Sequence, residues 1–111
     1  MANTNKVYLG TEMKLNIAVD PIGTITMDDY KSPFKVEVYC TPNKKVEINS
    51  DDDTACVRVD SNNYIVLVNT DNIGVGKVKV KLIAEIPDTQ FSDSYRTEVA
   101  LIDTGIEIVK H

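Results

Sequence analysis

The chain has no tryptophan, a single histidine, two cysteines, five tyrosines and two phenylalanines, and no apolar run of membrane-spanning length. Each scarcity excludes something. The histidine, His111, is the last residue, on a chain end expected to fray, so Ser/His and Cys/His mechanisms lack a base held in fixed geometry. Two cysteines and one terminal histidine fall short of the usual four-ligand zinc set. With 12 basic residues against 17 acidic ones and a net charge of −5, a phosphate backbone would be repelled on average, and stacking platforms are few, so no nucleic-acid partner is expected. Hydrophobic stretches are broken by Lys, Asp, Asn or Glu well short of the ~18 residues of a membrane span, so no membrane partner is expected either. The opening residues 1–6 are polar and resemble no secretory leader, which predicts cytosolic synthesis. Cys40 and Cys56 without such a leader are expected to be reduced, structural thiols rather than a disulfide. Cys40 continues the alternating set Phe34, Val36, Val38, whereas Cys56 is out of phase with Ala55, Val57 and Val59.

What the chain does have is β-branched side chains. Valine and isoleucine far outnumber leucine and alanine, and such residues lose rotamer freedom in a helix but suit a pleated strand. The 42% hydrophobic fraction is enough for a packed core, and 111 residues predict one domain spanning 1–111.

Met13, Leu15, Ile17 and Val19 alternate with Lys14, Asn16, Ala18 and Asp20, the period of a half-buried strand. Asp20, Pro21, Ile22 and Gly23 supply a turn, residues 24–27 a short pairing segment, and residues 28–33 a loop or single helical turn. Residues 34–40 form a strand with Lys35, Glu37 and Tyr39 on its outer face, followed by short strands at 45–48 and 55–60. Residues 64–68 are apolar at both parities and predict a central strand buried on both faces. Ile73 is expected to plug one end of the core. Val78, Val80, Leu82, Ala84 and Ile86 face inward, opposite the outward row Lys77, Lys79, Lys81. A hairpin loop carrying Phe91 leads to a strand at 95–102, and Asp103-Thr104-Gly105 bends the chain into a last strand at 106–109. Seven to nine short strands without a helical period predict an all-β protein, an Ig-like two-sheet antiparallel β-sandwich, with a closed barrel as the alternative. Residues 1–6 are expected to form a flexible N-terminal arm, frayed or ordered against a neighbouring subunit.

No constellation for catalysis, cofactor or metal emerges, and the chain is expected not to be an enzyme. Asp51, Asp52 and Asp53 match no calcium loop and read as a solvated acidic turn. Gly74-Val75-Gly76 lacks the third glycine and following helix of a phosphate loop. The candidate interaction residues are Lys77, Lys79, Lys81, Tyr39 and Phe91. The lysines read as a solvated face paired across strands with Glu37 or Glu98, or as a docking stripe for an acidic surface. Tyr39 and Phe91 offer aromatic contacts to a glycan or a host surface protein.

The opening residues 1–10, the segment Phe34-Lys35-Val36-Glu37-Val38-Tyr39-Cys40, and the closing Arg96-Thr97-Glu98-Val99 with Asp103-Thr104-Gly105-Ile106 together resemble small single-domain proteins of crAss-like and related gut tailed bacteriophages. The resemblance implies an Ig-like virion structural protein without cofactors, an auxiliary protein decorating the capsid exterior in many copies and contacting the major capsid protein or another virion protein. The attachment domain of a baseplate or tail-fibre protein is similar in strand pattern. Because the sequence stops after the sandwich with no shaft or receptor-binding region, the decoration role is the expected one.

Overall fold

A computed structural model describes residues 5–111. The alternation at residues 13–17 becomes strand β2 (Glu12–Ala18), whose Met13, Leu15 and Ile17 are buried while the intervening residues face solvent. The longer alternation at 78–86 becomes β7 (Gly76–Pro87), with all five expected inward residues buried. Between them lie β3 (Lys35–Thr41), β4 (Lys44–Asn49), β5 (Cys56–Asp60) and β6 (Asn63–Asn69); β1 (Asn5–Tyr8) precedes and β8 (Tyr95–Val109) follows.

These strands form two sheets, ordered β1-β8-β7-β3-β4 and β2-β6-β5. This is the connectivity of an Ig-like sandwich, with β4 extending the sheet of β3, β7 and β8 as in variable-type domains. Apolar side chains from both sheets share one core, and Ile73 closes one end of it as expected.

The pairing is not antiparallel throughout, because β1 lies parallel to the last four residues of β8, Asn5 opposite Ile106 and Tyr8 opposite Val109. Of the arm expected at residues 1–6, residues 1–4 lie outside the described residues, but Asn5 and Lys6 belong to this strand. The two final strands expected from the sequence are one. Asp103-Thr104-Gly105 forms a bulge within β8, where Lys79 opposes Asp103 but Lys77 opposes Glu107. Thr104 Oγ1 donates to the Val78 carbonyl at 2.9 Å, and Gly105 takes a positive φ of 71° that its missing Cβ permits.

Strand β6 is central in its sheet but buried on one face only. Tyr64, Val66 and Val68 point into the core, whereas Leu67 is exposed and Ile65 half-buried, because no second layer covers that side of a three-stranded sheet. In β5 the phase is the reverse of an apolar count: Cys56 is the buried residue, and Val57 and Val59 face solvent. Both cysteines are free, and burial pushes both thiols up from their ordinary value, more protonated than an exposed cysteine.

The connection between β2 and β3 is folded on itself and tied to both sheets. Ile22 and Ile25 form an isolated bridge in place of the expected pairing segment, and a 3-10 turn covers Met27–Asp29. Arg58 on β5 donates twice to the Asp28 carboxylate, at 2.9 and 2.8 Å, a fork-to-carboxylate geometry that fixes both partners. Lys31 donates its amide to the Glu85 carbonyl and its ammonium sits 3.5 Å from the Glu85 carboxylate.

The Arg58 hydrogen bonds hold the Asp28 carboxyl below the ordinary aspartate value of 3.8. The folded carboxyl is the stronger acid, so the pair's contribution to stability is full above the unfolded value and is lost as pH falls through the lower, folded one. An NMR titration of the Asp28 side chain should therefore show a midpoint below 3.8, and Arg58→Gln should return it upward. An unchanged midpoint in the variant would refute this assignment.

Candidate docking surfaces

The outer face of the five-stranded sheet is read directly from its register. Glu47 opposes Glu37, which opposes Lys81, which opposes Leu101; the next row runs Lys45, Tyr39, Lys79, Asp103. Lys77 opposes Glu107. Four of the five expected interaction residues, Tyr39 and the three lysines, thus share one face.

That face is a mixed-charge ribbon. Each lysine of the row has an acidic residue directly across a strand, Glu37, Asp103 or Glu107, although among the described residues no carboxylate comes within 4.0 Å of the three ammonium groups. Glu98 plays no part in it, because it opposes Ala84 on the core-facing side of β8 and contacts Arg96 instead. Glu37 is outward-pointing yet only 5% exposed. It shares a shallow cleft with Tyr39, Lys45 and Lys81, and the Lys45 ammonium at 3.4 Å compensates its charge. Tyr39 is half-buried rather than exposed. It borders a cleft of about 130 Å³ with Glu37, Pro42, Lys45 and Lys81, smaller than the roughly 300–1,000 Å³ of ordinary small-molecule sites.

Phe91 is elsewhere. The loop after β7 turns back through hydrogen bonds from Asp88 N–H to the Ser94 carbonyl at 2.9 Å and from Ser94 N–H to the Phe91 carbonyl at 2.9 Å. Arg96 at its base is 3.3 Å from the Asp88 carboxylate. On this closed tip Phe91 is 51% exposed. The tip lies at the same end as the β2–β3 connection, which Lys31 ties to Glu85, and Ile22 of that connection is a second exposed apolar residue. The sheet face and the loop end are therefore separate candidate surfaces.

No family model, curated protein or solved structure matches this chain.

The acidic turn at residues 51–53 is structured around Asp52, whose carboxylate accepts from the Thr54 amide at 3.1 Å and the Thr54 hydroxyl at 2.6 Å. Those bonds occupy the carboxylate in local capping. Among the described residues no group of three His, Cys, Asp or Glu side chains is arranged to hold a metal ion, and no helix is long and apolar enough to cross a membrane.

One surface escaped the sequence reading. Val99 and Leu101 point outward from β8 at 52% and 71% exposure, the latter the most exposed large apolar side chain described. Their signal was present in Val99-Ala100-Leu101-Ile102, an apolar run at both parities like residues 64–68. In both strands such a run marks an uncovered apolar face.

Proposed function

We propose that this chain is a non-enzymatic structural protein of a bacteriophage virion, an auxiliary protein that decorates the capsid exterior and docks on the major capsid protein through the loop end of the sandwich. The observation that carries the docking site is Phe91, an exposed aromatic side chain on a hydrogen-bonded hairpin tip. An aromatic anchor already held in place loses little conformational freedom on binding, which is why such residues dominate interface energetics. The ties from Arg58 to Asp28 and from Lys31 to Glu85 stiffen the neighbouring connection in the same way. The resemblance to virion proteins of gut tailed phages supplies the partner class, and many copies on a symmetric shell would make a modest contact collectively strong.

Mass spectrometry of purified virions should find the protein at a fixed ratio to the major capsid protein. Phe91→Ala should weaken its binding to undecorated capsids by at least about tenfold, the loss of one interface anchor, with its far-UV spectrum unchanged. Absence from purified particles would overturn the proposal. So would retention on mucin or polysaccharide in place of capsids, which would make the chain a glycan-binding module.

A further inference from the structure

Among the described residues, the edge of β8 is open along most of its length. β7 pairs with β8 from Tyr95 to Ile108 on one side, but β1 covers only Ile106 to Val109 on the other. Among the described residues, Tyr95 to Gly105 have no strand partner on that side, and alternate residues between them present an unpaired N–H and C=O, the N–H groups of Tyr95 and Gly105 at the two ends being held by the Asp93 and Asp103 carboxylates.

Other sheet edges in the molecule carry protective devices. β4 presents Lys44, Lys45 and Glu47, β5 presents Arg58 and Asp60 with a register shift between them, and β2 presents Glu12 and Lys14. Lysines, other charges and bulges of this kind discourage edge-to-edge pairing. The open edge of β8 lacks them at its middle. Arg96 is engaged with both Glu98 and Asp88, and from Val99 to Ile102 no residue is charged.

We propose that β8 pairs with β8 of a second copy of this chain, antiparallel about a two-fold axis at Ala100, joining two five-stranded sheets into one. A two-fold axis normal to the sheet keeps outward residues opposite outward residues, so allowed registers differ in steps of two. Ala100 is the midpoint of the open segment from Tyr95 to Gly105, so this register uses all of it: Tyr95 of the second copy falls opposite Gly105, one position short of β1. The same register sets Val99 opposite Leu101 of the second copy, and Leu101 opposite its Val99. The exposed apolar pair of each copy is thereby covered by that of the other. No like charges meet: Thr97 opposes Asp103, Arg96 opposes Thr104 and Glu98 opposes Ile102.

A second observation favours the same occupant. Ala100, Ile102 and Ile106 point toward the core yet are only half-buried, because β2 stops short of covering them. A groove of about 370 Å³ lies beside them, its lining including Leu15, Ile17, Ile102 and Ile106 together with the charged Lys14 and Asp103. Core-facing side chains of the second copy would extend over this groove. The edge, the outward pair and the groove thus call for one partner that supplies a strand with the same apolar alternation. β8 is such a strand.

Sedimentation velocity of the full chain over a range of concentrations tests the proposal. The wild type should show a monomer–dimer equilibrium. Val99→Lys with Leu101→Lys sets lysine against lysine twice and should weaken the dimer by at least about a hundredfold. Val99→Lys with Leu101→Glu sets each introduced lysine opposite an introduced glutamate of the other copy in this register, and should restore the dimer to within about tenfold of the wild type. All positions are exposed, and far-UV spectra verify that each variant is folded. A wild type that stays monomeric at millimolar concentration, or a lysine–glutamate variant as monomeric as the lysine–lysine one, would overturn the proposal. None of these outcomes depends on binding to a capsid.

Discussion

Replacing Phe34 by alanine should remove about 3–5 kcal/mol of stability, the range for deleting a buried aromatic side chain. Phe34 lies just before β3, buried between two tyrosines. Its ring meets Tyr30 edge-on at 5.6 Å between centroids and Tyr64 at 5.2 Å, interplanar angles 81° and 85°. Such T-shaped contacts add roughly 0.5–1.5 kcal/mol beyond the buried area. The backbone of Phe34 is tied as well: its N–H donates to Ser50 Oγ at 3.0 Å and its carbonyl accepts from the Ser50 amide at 2.9 Å. Held on both sides, the chain cannot readily collapse into the space a missing ring leaves. Against the roughly 5–15 kcal/mol of a typical domain, the loss is severe. Urea unfolding should show a much lower midpoint with the slope unchanged, and Phe34→Leu should fall between variant and wild type. A loss below about 1 kcal/mol would mean that the aromatic cluster does not anchor this end of the core.

Thr70→Val should cost about 1–3 kcal/mol even though the two side chains have nearly the same shape. Thr70 is fully buried at the start of the 3-10 turn Thr70–Asn72, and its hydroxyl oxygen accepts the Gly10 N–H at 2.8 Å. Its own amide donates to the Thr11 carbonyl, and its carbonyl accepts from Ile73 and Gly74. Valine keeps the backbone bonds but leaves the Gly10 N–H without its acceptor. Thr70→Ser keeps the acceptor and loses one methyl, about 0.8 kcal/mol, and should be the milder change. That order opposes hydrophobicity, which would rank valine first. Unfolding curves for both variants, with amide exchange at Gly10 faster only in the valine variant, check it; a valine variant as stable as the wild type would refute the role assigned to this hydroxyl.

The sequence made the sandwich legible wherever one face of a strand is buried and the other wet. At β2 and β7 the period of two leaves a single assignment of inside and outside, and the structure has each of those residues where the alternation places it. Local pattern fails where an apolar side chain faces outward. Val57, Val59, Leu67, Val99 and Leu101 carry the same composition as core residues, and only the order of strands and the absence of a covering layer decide their exposure. The parallel pairing of β1 with β8 and the open remainder of that edge join positions at opposite ends of the chain, which no local window can see. Among the candidate residues, the alternation placed the lysines and Tyr39 each on the outer side of its own strand, and the pairing of β3 with β7 brings them to one face. It did not show that Glu37 would be buried there and Tyr39 half-buried.

The parallel ladder between the first and last described strands also determines how the domain answers force. Asn5 and Val109 lie at opposite ends of that ladder, and Leu9 N–H adds a bond to the Val109 carbonyl at 2.8 Å. Tension applied through the two termini would slide β1 along β8, loading its hydrogen bonds together in shear, whereas a hairpin pulled from its open end parts one bond at a time. Rupture under load is governed by the unfolding barrier rather than by equilibrium stability. A domain tethered at both ends would resist pulling through this short ladder, and Val7→Pro, at a position whose N–H the alternation turns toward β8 as it does that of Leu9, should lower its rupture force more than its melting temperature.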